Sequence, residues 1–156
     1  QVVNSRAIFE FLMGEGRDLY KNGGAARRFQ DAVLTNLLHT SIVSGFADGS
    51  GQLAVAHATY DFLRTHHTEA SYHFLHGEMV AVGLLVQMAY NGSSQEEIQA
   101  VRSLMADMHM PLTLADLEYD CSGAQRDFFL QTIAADANIT TPADMSLLRA
   151  ALEEAL

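Results

Sequence analysis

The stretch SYHFLHGEMVAVGLLVQMAY, residues 71 to 90, constrains the fold more than any other part of this chain. From Met79 to Met88 only Gly83 and Gln87 interrupt an apolar run. A helix that is apolar nearly all round has no face to give to water, so other elements must wrap it. The run is also too short to cross a bilayer, which takes about 20 such residues. The stretch therefore predicts a central helix opening at His76. Around it the rest of the chain must supply a shell.

That shell reads as helical throughout. The chain has two prolines, and no segment keeps up a period-two alternation. Ala7, Ile8, Phe11 and Leu12 form an apolar stripe on a first helix, which Gly23-Gly24 should end. A second helix is expected from about residue 25 to 44, with Phe29, Val33, Leu37 and Ile42 facing inward. GFADGSGQ, residues 45–52, reads as a loop. A third helix places Leu53, Ala56, His57 and Tyr60 at helical spacing, and RTHHTEAS, residues 64–71, reads as a polar connection. Beyond the central helix, Ser94 with Glu97 forms a capping box. TLADLE, after Pro111, reads as a short helix capped by Thr113. Gly123 precedes a helix through about Ala137, and Thr141-Pro142 sets an N-cap and first-turn proline before the last one. The expected fold is an all-α, multi-helix bundle of roughly seven or eight helices, one domain over residues 1–156.

Charge narrows the function. Nineteen acidic against nine basic residues give a net charge of -10, which disfavours nucleic acid and anionic membrane surfaces alike. Cys121 is the single cysteine and cannot form an internal disulfide, which fits a reducing, cytoplasmic setting. The chain begins without Met, shows no signal-peptide pattern and opens inside a helical pattern, so it reads as part of a longer protein.

The histidines carry the chemistry. His57 lies in AVAHATYDF and His76 opens the central helix, nineteen residues later. Two antiparallel helices could bring their imidazoles together, and neutral imidazole suits Zn²⁺ or Fe²⁺. The alternative is a hydrogen-bonded core histidine at His57 and a polar helix start at His76, since two histidines alone make no tight metal motif. Gly77 reads as a place for close backbone approach. Glu78 either complements the helix dipole or orients a ligand histidine. Asp61, one turn after His57, is either an orienting carboxylate or an ordinary surface one. His66, His67 and His73 read as solvated or rim residues, and His39 and His109 as structural residues on other helices. No phosphate loop and no nucleophile with a paired base appears, and Cys121 reads as a semi-buried thiol.

GQLAVAHATYDFL followed by FLHGEMVAVGLLVQM resembles the metal-binding half of the iron- and zinc-dependent alcohol dehydrogenases, and the glycerol dehydrogenase branch in particular. That branch carries an Ala-His-Ala helix, a loop, and then His-Gly-Glu-x-Val-Ala-x-Gly. MPLTLADLE and TPADMSLLRAAL are similar to its later segments. The resemblance implies the C-terminal helical domain of a two-domain enzyme whose α/β nucleotide-binding domain has no counterpart here. It implies His57 and His76 as metal ligands, with a third, an upstream aspartate, outside this chain, because none of Asp18, Asp31 or Asp48 sits in a matching motif. It further implies a divalent metal (Zn or Fe), NAD(P) held by the other domain, and a small alcohol or polyol as substrate. The metal would stabilise the substrate alkoxide while hydride passes to the nicotinamide.

This chain by itself would then be inactive, and without the other domain the surface that met it should expose apolar residues and favour self-association; a homo-oligomer is expected. The branch usually has a small residue where Phe62 stands, which points to a different substrate pocket. Two other readings stand beside this one. A dehydroquinate-synthase-like lyase has a similar His-Gly-Glu helix, but its Gly-His-Thr-x-Gly-His pattern is missing from VAHATYD. A non-catalytic helical domain could keep the fold and lose the metal, although both histidines are kept.

Overall fold

The computed structural model describes residues 2–39 and 54–155, and every regular element among them is helical. Residues 1–51 and 52–156 form two compact units within the span that the sequence reads as one domain.

In the first unit, α1 (Val2–Asn22) carries Lys21 in its last turn, where a cation complements the helix dipole. It stops where Gly23 takes a φ of 51°, followed by a 3₁₀ turn over Gly23–Ala25. The expected second helix is broken up. α2 spans only Phe29–Leu34 and passes into a π-helical turn, Thr35–His39. Glu15 of α1 ties the unit together by accepting from Arg27 at 3.0 Å, with Arg28 3.7 Å away. Phe29, Val33 and Leu37 were expected to face inward, yet all three are exposed. An apolar stripe becomes a core only when another element packs on it, and Ala26 is the one buried hydrophobic residue among the described residues of this unit. Ile42, Leu53 and the GFADGSGQ loop lie outside the described residues.

The second unit holds α3 (Val55–His66), the one-turn α4 (Thr68–Ser71), α5 (His76–Tyr90), α6 (Gln95–Asp107), α7 (Gly123–Asp136) and α8 (Pro142–Ala155). α5 is the expected central helix: it packs against α3, α6 and α8, while α7 lies on α3 and α8. Its Met79, Val82, Leu85 and Val86 are fully buried, each contributing about 1.5–3 kcal/mol. The caps form as their residues dictate. Ser94 Oγ accepts from the Glu97 amide at 3.2 Å, and Glu97 accepts from the Ser94 amide at 3.1 Å. Thr141 Oγ1 accepts from the Asp144 amide at 3.1 Å ahead of Pro142.

Three local expectations change. RTHHTEAS is not a plain connection. α3 runs on to His66, and the His67 amide still donates to the Leu63 carbonyl at 2.9 Å before α4 begins. TLADLE is a run of turns rather than a helix. Thr113 does cap it, accepting from the Asp116 amide at 3.0 Å, but Asp116 turns back to accept from the Leu112 and Thr113 amides at 2.9 and 3.0 Å. The run closes within a turn because Glu118 takes a φ of 62° and the Tyr119 amide donates to the Leu114 carbonyl at 2.9 Å. His109 lies beyond the end of α6 with a φ of 58°, not on a helix. No helix among the described residues is long and apolar enough to cross a membrane.

Candidate metal centre

The two interruptions of the apolar run make the contact between α3 and α5. A Cβ at Gly83 would lie 2.8 Å from the Ala56 carbonyl oxygen and 2.8 Å from both Cβ and Oγ1 of Thr59. The helices approach this closely because no side chain separates them. Thr59 is fully buried there, and its hydroxyl is satisfied by donating to the Val55 carbonyl at 2.9 Å. The residue that caps the start of α3, Ala54, has no side-chain acceptor for the first free amides. Gln87 supplies one from the neighbouring helix: its Oε1 accepts from the Ala56 amide at 3.1 Å. Gly77, read from the sequence as the close-approach glycine, has nothing within 4 Å of a built Cβ. That role falls to Gly83 because the helices cross at its level, not at the helix start.

The crossing holds His57 and His76 side by side. Their ring centres are 5.8 Å apart with the planes 52° to one another, and both side chains are exposed. His57 is therefore not a core histidine. With a Zn–N bond of about 2.1 Å and tetrahedral angles, two imidazoles on one zinc have ring centres about 5 Å apart. The Tyr60 ring packs edge-on against His76 at 4.2 Å. Glu78 accepts from the Leu75 amide at 2.7 Å, closing the helix start. Asp61 is half-buried, and among the described residues neither carboxylate hydrogen-bonds to either imidazole. No group of three or more His, Cys, Asp or Glu poised for a metal occurs among the described residues.

The remaining histidines serve other contacts. His67 Nε2 donates to the Glu118 carbonyl at 2.9 Å, and His73 Nδ1 lies 3.2 Å from the Glu118 carboxylate. Both pin the turn where Glu118 takes a φ of 62°. His66 packs on Phe62 and Phe128. Phe62, whose bulk suggested an altered substrate pocket, is 1% exposed and sits among Tyr119, Phe128 and Phe129 as core. Burial pushes the Cys121 thiol above its ordinary pKa, with Arg126 pulling part of the way back, so this is not an activated nucleophile. Burial, then the neighbouring Cys121 and Asp120, push the Tyr119 phenol up to about 12, and its hydroxyl donates to the Gln125 carbonyl at 3.0 Å.

The chain is 42% identical over 119 residues to glycerol dehydrogenase of Pseudomonas putida, an overlap of 73% of this chain and 30% of that protein. It is 30% identical over 113 residues to glycerol dehydrogenase of Citrobacter freundii, covering 72% of this chain and 30% of that one. Hydroxycarboxylate dehydrogenase A of Escherichia coli K12 is 31% identical over 121 residues, 75% of this chain and 32% of the relative. No protein-family model matches the sequence. These likenesses are to dehydrogenases, over the stretch that carries the Ala-His-Ala and His-Gly-Glu helices. The chain is related to the glycerol dehydrogenase branch, and it spans less than a third of the length of these relatives.

Proposed function

We propose that the chain is the helical metal-binding domain, residues 1–156, of an NAD(P)-dependent alcohol or polyol dehydrogenase, with His57 and His76 as two of the metal's ligands. One observation carries the reading: two exposed imidazoles on crossing helices, ring centres 5.8 Å apart, in a chain whose relatives are dehydrogenases. The donors suit the ion. Each imidazole can offer a nitrogen, and neither is engaged in a hydrogen bond among the described residues. A Zn²⁺ or Fe²⁺ ion bound there would supply Lewis-acid stabilisation of charge on the substrate oxygen. The chain's own part is to hold the donors: Gly83 sets the distance between α3 and α5, and Gln87 sets their register. A third donor and the site that would hold the hydride-accepting nicotinamide belong to residues outside this chain. A net charge of -10 is in keeping with a small uncharged alcohol or polyol as substrate rather than a polyanion. Cytoplasmic location and a homo-oligomeric enzyme complete the proposal.

Calorimetric titration of Zn²⁺ into the full-length protein, beside His57→Ala and His76→Ala, tests the reading. Both substitutions should abolish binding without lowering stability by more than about 0.5 kcal/mol, since both side chains are exposed. Binding that neither substitution changes would sink it. Turnover of NAD or NADP with small alcohols then separates a dehydrogenase from a dehydroquinate-synthase-like lyase.

A further inference from the structure

A histidine that ligates a metal ordinarily donates its other ring N–H to a carboxylate or carbonyl, which fixes the ring's orientation. His76 has no such hydrogen bond among the described residues. The carboxylate nearest in sequence, Glu78, is engaged with the Leu75 amide at 2.7 Å. What meets the His76 ring instead is the Tyr60 ring, with centres 4.2 Å apart and planes at 61°. Tyr60 is half-buried on α3, one turn after His57, so its ring is held by the same helix that carries the other histidine. An aromatic ring with two side-chain torsions is a stiff support, and edge-to-face packing on imidazole is directional. From this we infer that Tyr60 is a positioning residue. It ties the His76 imidazole to α3 and so holds it beside His57, which that helix also carries. This inference rests on the reading that the two histidines hold a metal.

The experiment compares Zn²⁺ affinity, and the visible spectrum of bound Co²⁺, in the full-length protein and in Tyr60→Phe, Tyr60→Leu and Tyr60→Ala. Losing the support of a ligand histidine typically weakens metal binding about 10–100-fold. Tyr60→Ala and Tyr60→Leu should show such a loss with an altered Co²⁺ spectrum. Tyr60→Phe, which keeps the ring, should stay within about twofold of wild type. Tyr60→Leu keeps apolar bulk, so its loss at an unchanged melting temperature separates ring support from folding. Wild-type affinity in Tyr60→Leu would overturn the positioning role alone. So would a Tyr60→Phe variant as weak as Tyr60→Ala, since the hydroxyl rather than the ring would then matter. A wild-type protein that binds no Zn²⁺ would overturn the metal reading and this role together.

Discussion

Replacing Gly83 with Ala should force α3 away from α5. The new Cβ would stand 2.8 Å from three atoms, and ordinary contact begins near 3.5 Å, so about 0.7 Å must be found. Neither neighbour yields easily. One is the Ala56 carbonyl oxygen, part of a helix backbone. The other is Thr59, β-branched, fully buried and held by its hydrogen bond to Val55. Overpacking of this kind costs about 1–3 kcal/mol. Better helix propensity returns up to about 1 kcal/mol. Three contacts at 2.8 Å, one to backbone, put the cost at about 2–3 kcal/mol, so the net expectation is a loss of about 1–2 kcal/mol, or roughly 2–8 °C in Tm for a chain of this size. Urea melts followed by far-ultraviolet circular dichroism read it directly. Gly77→Ala is the control: it adds the same atom where nothing lies within 4 Å and should be neutral or stabilising by up to about 1 kcal/mol. If Gly83→Ala proves as stable as wild type, or if Gly77→Ala costs more, the tight crossing is not what holds these helices.

Two further outcomes follow from the same contacts and charges. Gln87→Leu removes the acceptor for the Ala56 amide and should cost about 1–2 kcal/mol, with faster hydrogen exchange at that amide; unchanged exchange would dismiss the interhelical cap. Tyr119 has a folded-state pKa raised from 10.0 to about 12. A raised pKa means the folded state holds the proton more tightly, so this contribution is complete below pH 10 and fades as pH climbs through 12. The urea midpoint of the wild type should therefore fall across that window more steeply than that of Tyr119→Phe, and phenolate absorbance should show one tyrosine titrating late. Parallel midpoints in the two proteins would remove Tyr119 from the alkaline transition.

Much of this molecule was legible in the residues because the signals act over a turn or two. The helix from His76 to Tyr90 is where an all-round apolar run demands one, and the caps at Ser94 and Thr141 close on their own third residues. The motifs around His57 and His76 carried the relationship to the glycerol dehydrogenases. Other features depend on what lies across the chain. Phe29, Val33 and Leu37 have the spacing of an inward stripe, but a stripe cannot tell whether anything packs on it. Gly83 and Gln87 look like blemishes in an apolar run. Their meaning comes from Ala56 and Thr59, which lie on another helix. Gly77 and Gly83 are the same residue type on one helix, and only the level at which α3 crosses α5 separates them. Tyr60 likewise is only one more residue at helical spacing on its helix until the His76 ring is found against it. Helix formation is driven by neighbours in sequence, whereas the meeting of two imidazoles is set by packing between helices. That packing has no periodicity of its own to read, so only the tertiary structure decided it.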